Sequence, residues 1–315
     1  MQPDVEVEPL IQGNPVRIGL ALGGGAVRGA AHIGVLAVLE EAGLAPAVVT
    51  GTSAGAVVGA LYASGLDPAE IATLARTLRW TRLVSPTVNR RALLDTARLA
   101  RFLHKALHGQ SFATLRRTFA AVACELTTGE TVVLNSGPVS SAVLASAAIP
   151  GVFPPVERDG LLLVDGGLVD LVPAALARTL GAEVVVAVDV SGPLPRRSPT
   201  TLLQVMVAAS HLMPGVAQQL ARDADLVLTP QVDEYAFWEL SRLPEFEAAG
   251  RAAAEQALPL LRALIAVAEA RRALRGGATD ASAGKPSDQV PALEAATDAG
   301  DPLPRARAST PRTSR

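Results

Sequence analysis

From Val16 onward, short apolar runs alternate with longer alanine-rich stretches of helical spacing. Strands that alternate with helices in this way predict a parallel sheet covered by its crossover helices. The run "VRIGLAL" (16–22) predicts a first strand and "GAAHIGVLAVLEEAG" (29–43) its helix; "APAVVTG" (45–51) and "AGAVVGALYASG" (54–65) predict a second pair. Further strands are expected at "FAAVACEL" (119–126), "ETVVLN" (130–135), "LLLVDGG" (161–167), "AEVVVAVDV" (182–190) and "ADLVLTP" (224–230). The stretch "FEAAGRAAAEQALPLLRALIAVAEARRALR" (246–275) closes the pattern as one long helix or a broken pair, because Pro259 lies inside it.

The pattern ends at Gly276. Residues 276–315 are rich in small residues, proline and both charges, and hold almost no bulky apolar side chain. Such a segment cannot bury enough surface to offset its ordering entropy, so a disordered tail is expected there. Residues 1–15 read as an N-terminal extension and 16–275 as a single folded domain.

Composition narrows the function classes. With 315 residues, 49% hydrophobic, and a formal net charge of -2, nothing global points to nucleic acid. The single cysteine, Cys124, excludes an internal disulfide and a cysteine zinc site, and its apolar setting reads as core rather than nucleophile. No metal is expected. The first residues, "MQPDVEVEPL", lack a basic segment followed by an apolar one, and no run of about 18 uncharged apolar residues occurs. The expectation is a cytoplasmic protein able to lie at the inner face of a membrane.

One local bias stands out. Between 76 and 117, Arg76, Arg79, Arg82, Arg90, Arg91, Arg98, Arg101, Lys105, Arg116 and Arg117 accompany a single acid, Asp95. Such a segment is either a solvated helical face or a cationic lid for anionic lipid head groups, worth about 1 kcal/mol per basic residue near the surface.

Candidate chemistry begins at "GTSAG", Gly51–Gly55, which follows the second strand and opens the second helix. This is the Gly-x-Ser-x-Gly elbow in the strand–turn–helix context the motif requires: small residues on each side let strand and helix approach while Ser53 is exposed at a helix N-terminus. A serine hydroxyl needs a base within hydrogen-bond reach. Four histidines exist. His104 and His108 read as surface residues and His32 as a structural contact beneath the glycine loop. His211 alone follows the candidate acid in the chain order of an α/β-hydrolase triad, although no strand precedes it. Asp165 is the other candidate: it ends an apolar strand and is followed by Gly166 and Gly167, at the sheet end where catalytic groups gather. It is either a base whose pKa burial would raise or the cap of a turn. Asp170 lies beyond the turn, and Asp189 has no glycine after it.

The stretch "GLALGGGAVRGAAHIGVL" (19–36) fits a dinucleotide fingerprint poorly. Counting from Gly23 places Arg28 where the last glycine belongs; counting from Gly24 places Ala26 at the middle one, although Gly29 fits. An oxyanion hole asks only for two or three backbone N–H groups aimed at one point, which a glycine turn beside the serine's strand can supply. Arg28 would then fix the loop or add positive charge.

These motifs, in this order, resemble the patatin-like phospholipase family, the bacterial members most: a glycine-rich loop with Arg-Gly, Gly-x-Ser-x-Gly, and a distant Asp-Gly-Gly. "AHIGVL", "ASAAIPGVFPPV" and "GAEVVVAVDV" add to the likeness, which covers roughly Val16 to Pro230. The resemblance implies a three-layer α/β/α sandwich with a mainly parallel central sheet. It also implies a lipid acyl hydrolase that needs no cofactor, with Ser53 as nucleophile and Asp165 as general base. The N–H groups of Gly24, Gly25 and Ala26 would form the oxyanion hole, with Arg28, Gly29, Gly51, Gly55, Gly166 and Gly167 as motif support. Ala26 stands where the family has its third glycine. The expected partner is a lipid ester substrate, with peripheral membrane contact through 76–117. The rivals are an α/β-hydrolase-type esterase or thioesterase with a His211 triad, and a catalytically silent scaffold.

Overall fold

The computed structural model describes residues 15–87, 91–191, 223–232 and 239–282. Each of the seven apolar runs forms a strand: β1 (Ile18–Leu22), β2 (Val48–Thr52), β5 (Thr118–Glu125), β6 (Thr131–Leu134), β8 (Leu161–Asp165), β9 (Val184–Val188) and β10 (Leu226–Leu228). Three short strands carry no such run: β3 (Ser85–Pro86) and β4 (Leu94–Asp95), which pair with each other, and β7 (Val156–Arg158). The helices are α1 (Ala30–Glu41), α2 (Ala54–Ser64), α3 (Pro68–Arg76), α4 (Trp80–Leu83), α5 (Ala97–Ala106), α6 (Val139–Ser146), α7 (Ala174–Thr179) and α8 (Leu243–Ser282).

The main sheet runs in the order β10-β9-β1-β2-β5-β8-β7, with β6 also paired to β5. Pairing is parallel from β10 to β5 and antiparallel for β6, β7 and β8. Alternate side chains serve two apolar layers. Leu20, Leu22, Val186 and Val188 join a core with α1, α2, α6 and α8, whereas Ala21, Val185 and Ala187 point to the other face against Ala174 and Ala177 of α7. Burial on both faces is what makes these strands continuous apolar runs rather than alternating ones. The result is a three-layer α/β/α domain with a mainly parallel sheet.

The described residues up to Arg272 belong to one compact unit. The closing helix is unbroken: α8 includes Pro259 and extends to Ser282, beyond the change of composition at Gly276. Most of the expected N-terminal extension, the remaining tail from 283 to 315, and His211 lie outside the described residues.

Register brings two of the candidate residues together. On β5, Val122 pairs with Thr52 of β2, and the next residue, Ala123, pairs with Asp165 of β8. Strand β6 pairs with Ala121–Cys124. A strand has only two edges, so β2 and β8 must share the other one, end to end. The carboxyl ends of β2 and β8 therefore meet head to head, and the residues at that junction are Ser53 and Asp165.

Candidate active site

Ser53 turns the chain from β2 into α2 with φ 54 and ψ -119, a left-handed conformation rare for a residue with a Cβ. The flanking glycines make the turn sterically feasible. A Cβ on Gly55 would lie 2.1 Å from the Leu22 carbonyl oxygen, and one on Gly51 would lie 2.5 Å from that of Gly55. Gly29 faces Ala54 just as closely, since a Cβ there would come within 2.6 Å of the alanine's own.

The Ser53 hydroxyl donates to Asp165 Oδ2 at 2.6 Å, while Asp165 Oδ1 accepts the Gly167 N–H at 2.8 Å. Both residues are buried. Burial pushes the Asp165 carboxyl up to about 6, although the Ser53 and Gly167 bonds pull it downward. Gly166 is forced by packing, since a Cβ there would lie 2.3 Å from the Val122 carbonyl oxygen.

The glycine loop lies against this pair. A Cβ on Gly24 would be 3.4 Å from Ser53 Cβ, and Ala26 and Ser53 face the same cavity. The loop differs from expectation at one donor: the Gly24 N–H is already bound to the Leu171 carbonyl at 3.0 Å. Gly25 and Ala26 open a 3-10 turn, where N–H groups lack intrahelical acceptors, and neither has a partner among the described residues. Ala26 adopts φ 51, so alanine here takes the left-handed conformation that glycine adopts freely.

The neighbouring polar groups have structural partners. The buried Arg28 guanidinium donates to the Ser191 carbonyl, tying the glycine loop to the exit of β9. His32 donates from Nε2 to the Gly23 carbonyl at 2.8 Å, and burial pulls its pKa down to about 4, so it is neutral beneath the loop. His104 and His108 are exposed. Asp189 accepts from the Ser191 N–H and hydroxyl, as a turn cap does. The backbone carbonyls of Asp170, Leu171 and Pro173 accept from Thr52 Oγ1, the Gly24 N–H and Thr50 Oγ1, lacing the chain after β8 onto β1 and β2. Cys124 is buried in β5.

Ser146, the last residue of α6, lies in the stretch "ASAAIPGVFPPV" but belongs to no catalytic motif. Its hydroxyl accepts the Ser53 N–H at 3.0 Å and donates to the Val122 carbonyl at 2.6 Å. A serine in an alanine-rich helix gives no local sign of a partner 93 positions away.

Above Ser53 lies a cavity of about 460 Å³. Along α2 it touches Ser53, Ala54, Val57, Val58 and Leu61; α3 adds Ile71, Leu74 and Ala75, and α5 adds Leu99, Phe102 and Leu103. Among the described residues that line it, Ser53 alone carries a hydroxyl or an ionisable group. The basic segment thus turns its apolar side chains to the cavity, whereas Arg79, Arg82, Arg98, Arg101 and Lys105 are exposed. No cluster of metal-ligating side chains occurs among the described residues, and no helix there is long and apolar enough to cross a membrane.

A family model for patatin-like phospholipase matches residues 20–178, which include the glycine loop, Ser53 and Asp165. The chain is 38% identical over 180 residues to an uncharacterized NTE family protein of Mycobacterium tuberculosis, covering 56% of this chain and 49% of that one. It is 34% identical over 183 residues to the human patatin-like phospholipase domain-containing protein 6, covering 55% of this chain and 13% of the human protein. The match thus spans about half, or much less, of these relatives. Among solved structures, VipD from Legionella pneumophila aligns with a TM-score of 0.46 at 13% identity, covering 80% of this chain and 67% of VipD.

Proposed function

The chain belongs to the patatin-like phospholipase family, and on that premise we propose that it hydrolyses carboxylic esters of lipids through Ser53 and Asp165. The observation that carries this reading is the 2.6 Å bond from the Ser53 hydroxyl to a buried carboxylate at the edge of an apolar cavity. Asp165 takes the proton of Ser53 as its Oγ attacks the ester carbonyl. The oxyanion is held by the N–H groups of Gly25 and Ala26; the Gly24 N–H serves the loop through Leu171. As the tetrahedral intermediate collapses, the alcohol leaves with the proton from Asp165. Water then attacks the acyl-enzyme, Asp165 again acting as base, and the fatty acid departs with Ser53 restored. This chemistry needs no cofactor from its residues.

The cavity suits an acyl chain, since each methylene moved from water into it gains about 0.8 kcal/mol. The basic outer face of α4 and α5 supports docking on an anionic lipid surface. A panel of phospholipid, lysophospholipid and simple fatty-acyl esters tests the function. Wild type is expected to release fatty acid from at least one class, and Ser53→Ala to release none above blank. Equal release by Ser53→Ala would overturn the proposal.

A further inference from the structure

Ser53 and Asp165 arise from strands with no ladder between them: β2 and β8 each pair with β5 but not with each other. The reacting atoms must nevertheless be held within hydrogen-bond reach. The left-handed backbone of Ser53 adds to the demand, because such a conformation persists in a non-glycine residue only where its surroundings over-determine it. Serine at a helix N-cap usually turns its own hydroxyl back to the first turn. Ser53 occupies that position in α2 without a side-chain cap, its hydroxyl being bonded to Asp165 instead.

The end of α6 reaches both partners. Ser146 Oγ accepts the Ser53 N–H at 3.0 Å, and its own proton goes to the Val122 carbonyl at 2.6 Å, at the residue of β5 where β2 ends. Two residues further on, the Ala148 carbonyl accepts the Asp165 N–H at 2.9 Å. Ser146 is fully buried, so no water can take over the role of its hydroxyl.

We propose that Ser146 is a positioning residue: its hydroxyl fixes the backbone of Ser53 while the Ala148 carbonyl fixes that of Asp165, so the end of α6 sets the spacing of the pair. The proposal rests on the reading of Ser53 and Asp165 as the reacting groups. Without the Ser146 hydroxyl, the Ser53 N–H loses its acceptor and the elbow can swing its Oγ away from Asp165.

Ser146→Ala tests this on a soluble ester. The expected result is a kcat lower by about 10- to 100-fold with KM nearly unchanged, because a misplacement near 1 Å has that effect on a reacting pair. The acid limb of the pH profile should also move upward, since the Ser53 hydroxyl is one of the groups holding the Asp165 carboxyl down. A merely structural loss would lower the melting midpoint without moving that limb. If Ser146→Ala does not fold, Ser146→Cys carries the test, as its slightly larger thiol leaves no void and is a weaker acceptor. A folded variant of either kind with wild-type kcat and an unmoved limb overturns the proposal. Labelling of Ser53 by a fluorophosphonate keeps the two readings apart. Wild type that labels but hydrolyses no ester would fault the proposed function, and the labelling rates of wild type and Ser146→Ala would still test Ser146.

Discussion

Ala26 and Ser53 carry positive φ angles side by side at the cavity, and for a residue with a Cβ each costs about 1–2 kcal/mol. Strain of this kind is maintained where it holds donors and a nucleophile in place, which is the use proposed for both. In the proposed mechanism the carboxylate beside them sets the pH dependence. Asp165 works as a base only when ionised, and burial raises it to about 6, so kcat/KM should fall tenfold per unit as the pH drops below about 6. The fold should not fail in the same range. Asp165, raised in the folded state, destabilises it as the pH climbs from about 4 to 6, whereas neutral His32, lowered to about 4, destabilises it as the pH falls from 6.5. The two trends oppose each other. An acid limb near 6 in kcat/KM with an intact melting midpoint is the expected outcome, and a flat profile from pH 5 to 8 would contradict it. At this scale the sequence showed Ser53 and Asp165 because their motifs are contiguous. It could not show the Ser146 bond or the engagement of Gly24 by Leu171, which join residues far apart in the chain and leave no local pattern.

At the level of elements, the long strands were legible because burial on two faces demands unbroken apolar runs. Strands β3, β4 and β7 were not, since they are short and no apolar run marks them. The direction of β8 was also hidden, since "LLLV" reads the same in a parallel or an antiparallel strand. That direction matters most for function, because only an antiparallel β8 meets β2 head to head. In α5 the sequence displayed its arginines more plainly than its apolar stripe of Leu99, Phe102 and Leu103, which lines the cavity. The opposite face of this helix bears exposed Arg98, Arg101 and Lys105. Protein binding to anionic vesicles should therefore weaken as salt rises from 0.1 to 1 M, where the screening length falls from about 10 to 3 Å. Arg101→Glu should weaken it further. Binding that persists unchanged at high salt, or in neutral vesicles, would remove the electrostatic docking reading.

Across the whole molecule, a formal net charge of -2 conceals the positive segment that covers the cavity. The parallel sheet covered by helices followed from the alternation of runs, because a sheet buried on both faces must be covered. The position of the cavity did not follow, since it depends on how α2, α3 and α5 pack over the elbow rather than on any one of them. The fold brings the glycine loop, serine elbow and late aspartate together where β1, β2 and β8 end, and the central claim is that Asp165 is the base there. The most direct test is the kcat/KM of Asp165→Asn on a soluble fatty-acyl ester, because asparagine retains the shape and can still accept from Ser53 but cannot take its proton. The account predicts a loss of about 10²–10⁴-fold with the fold intact. Turnover equal to wild type would contradict it.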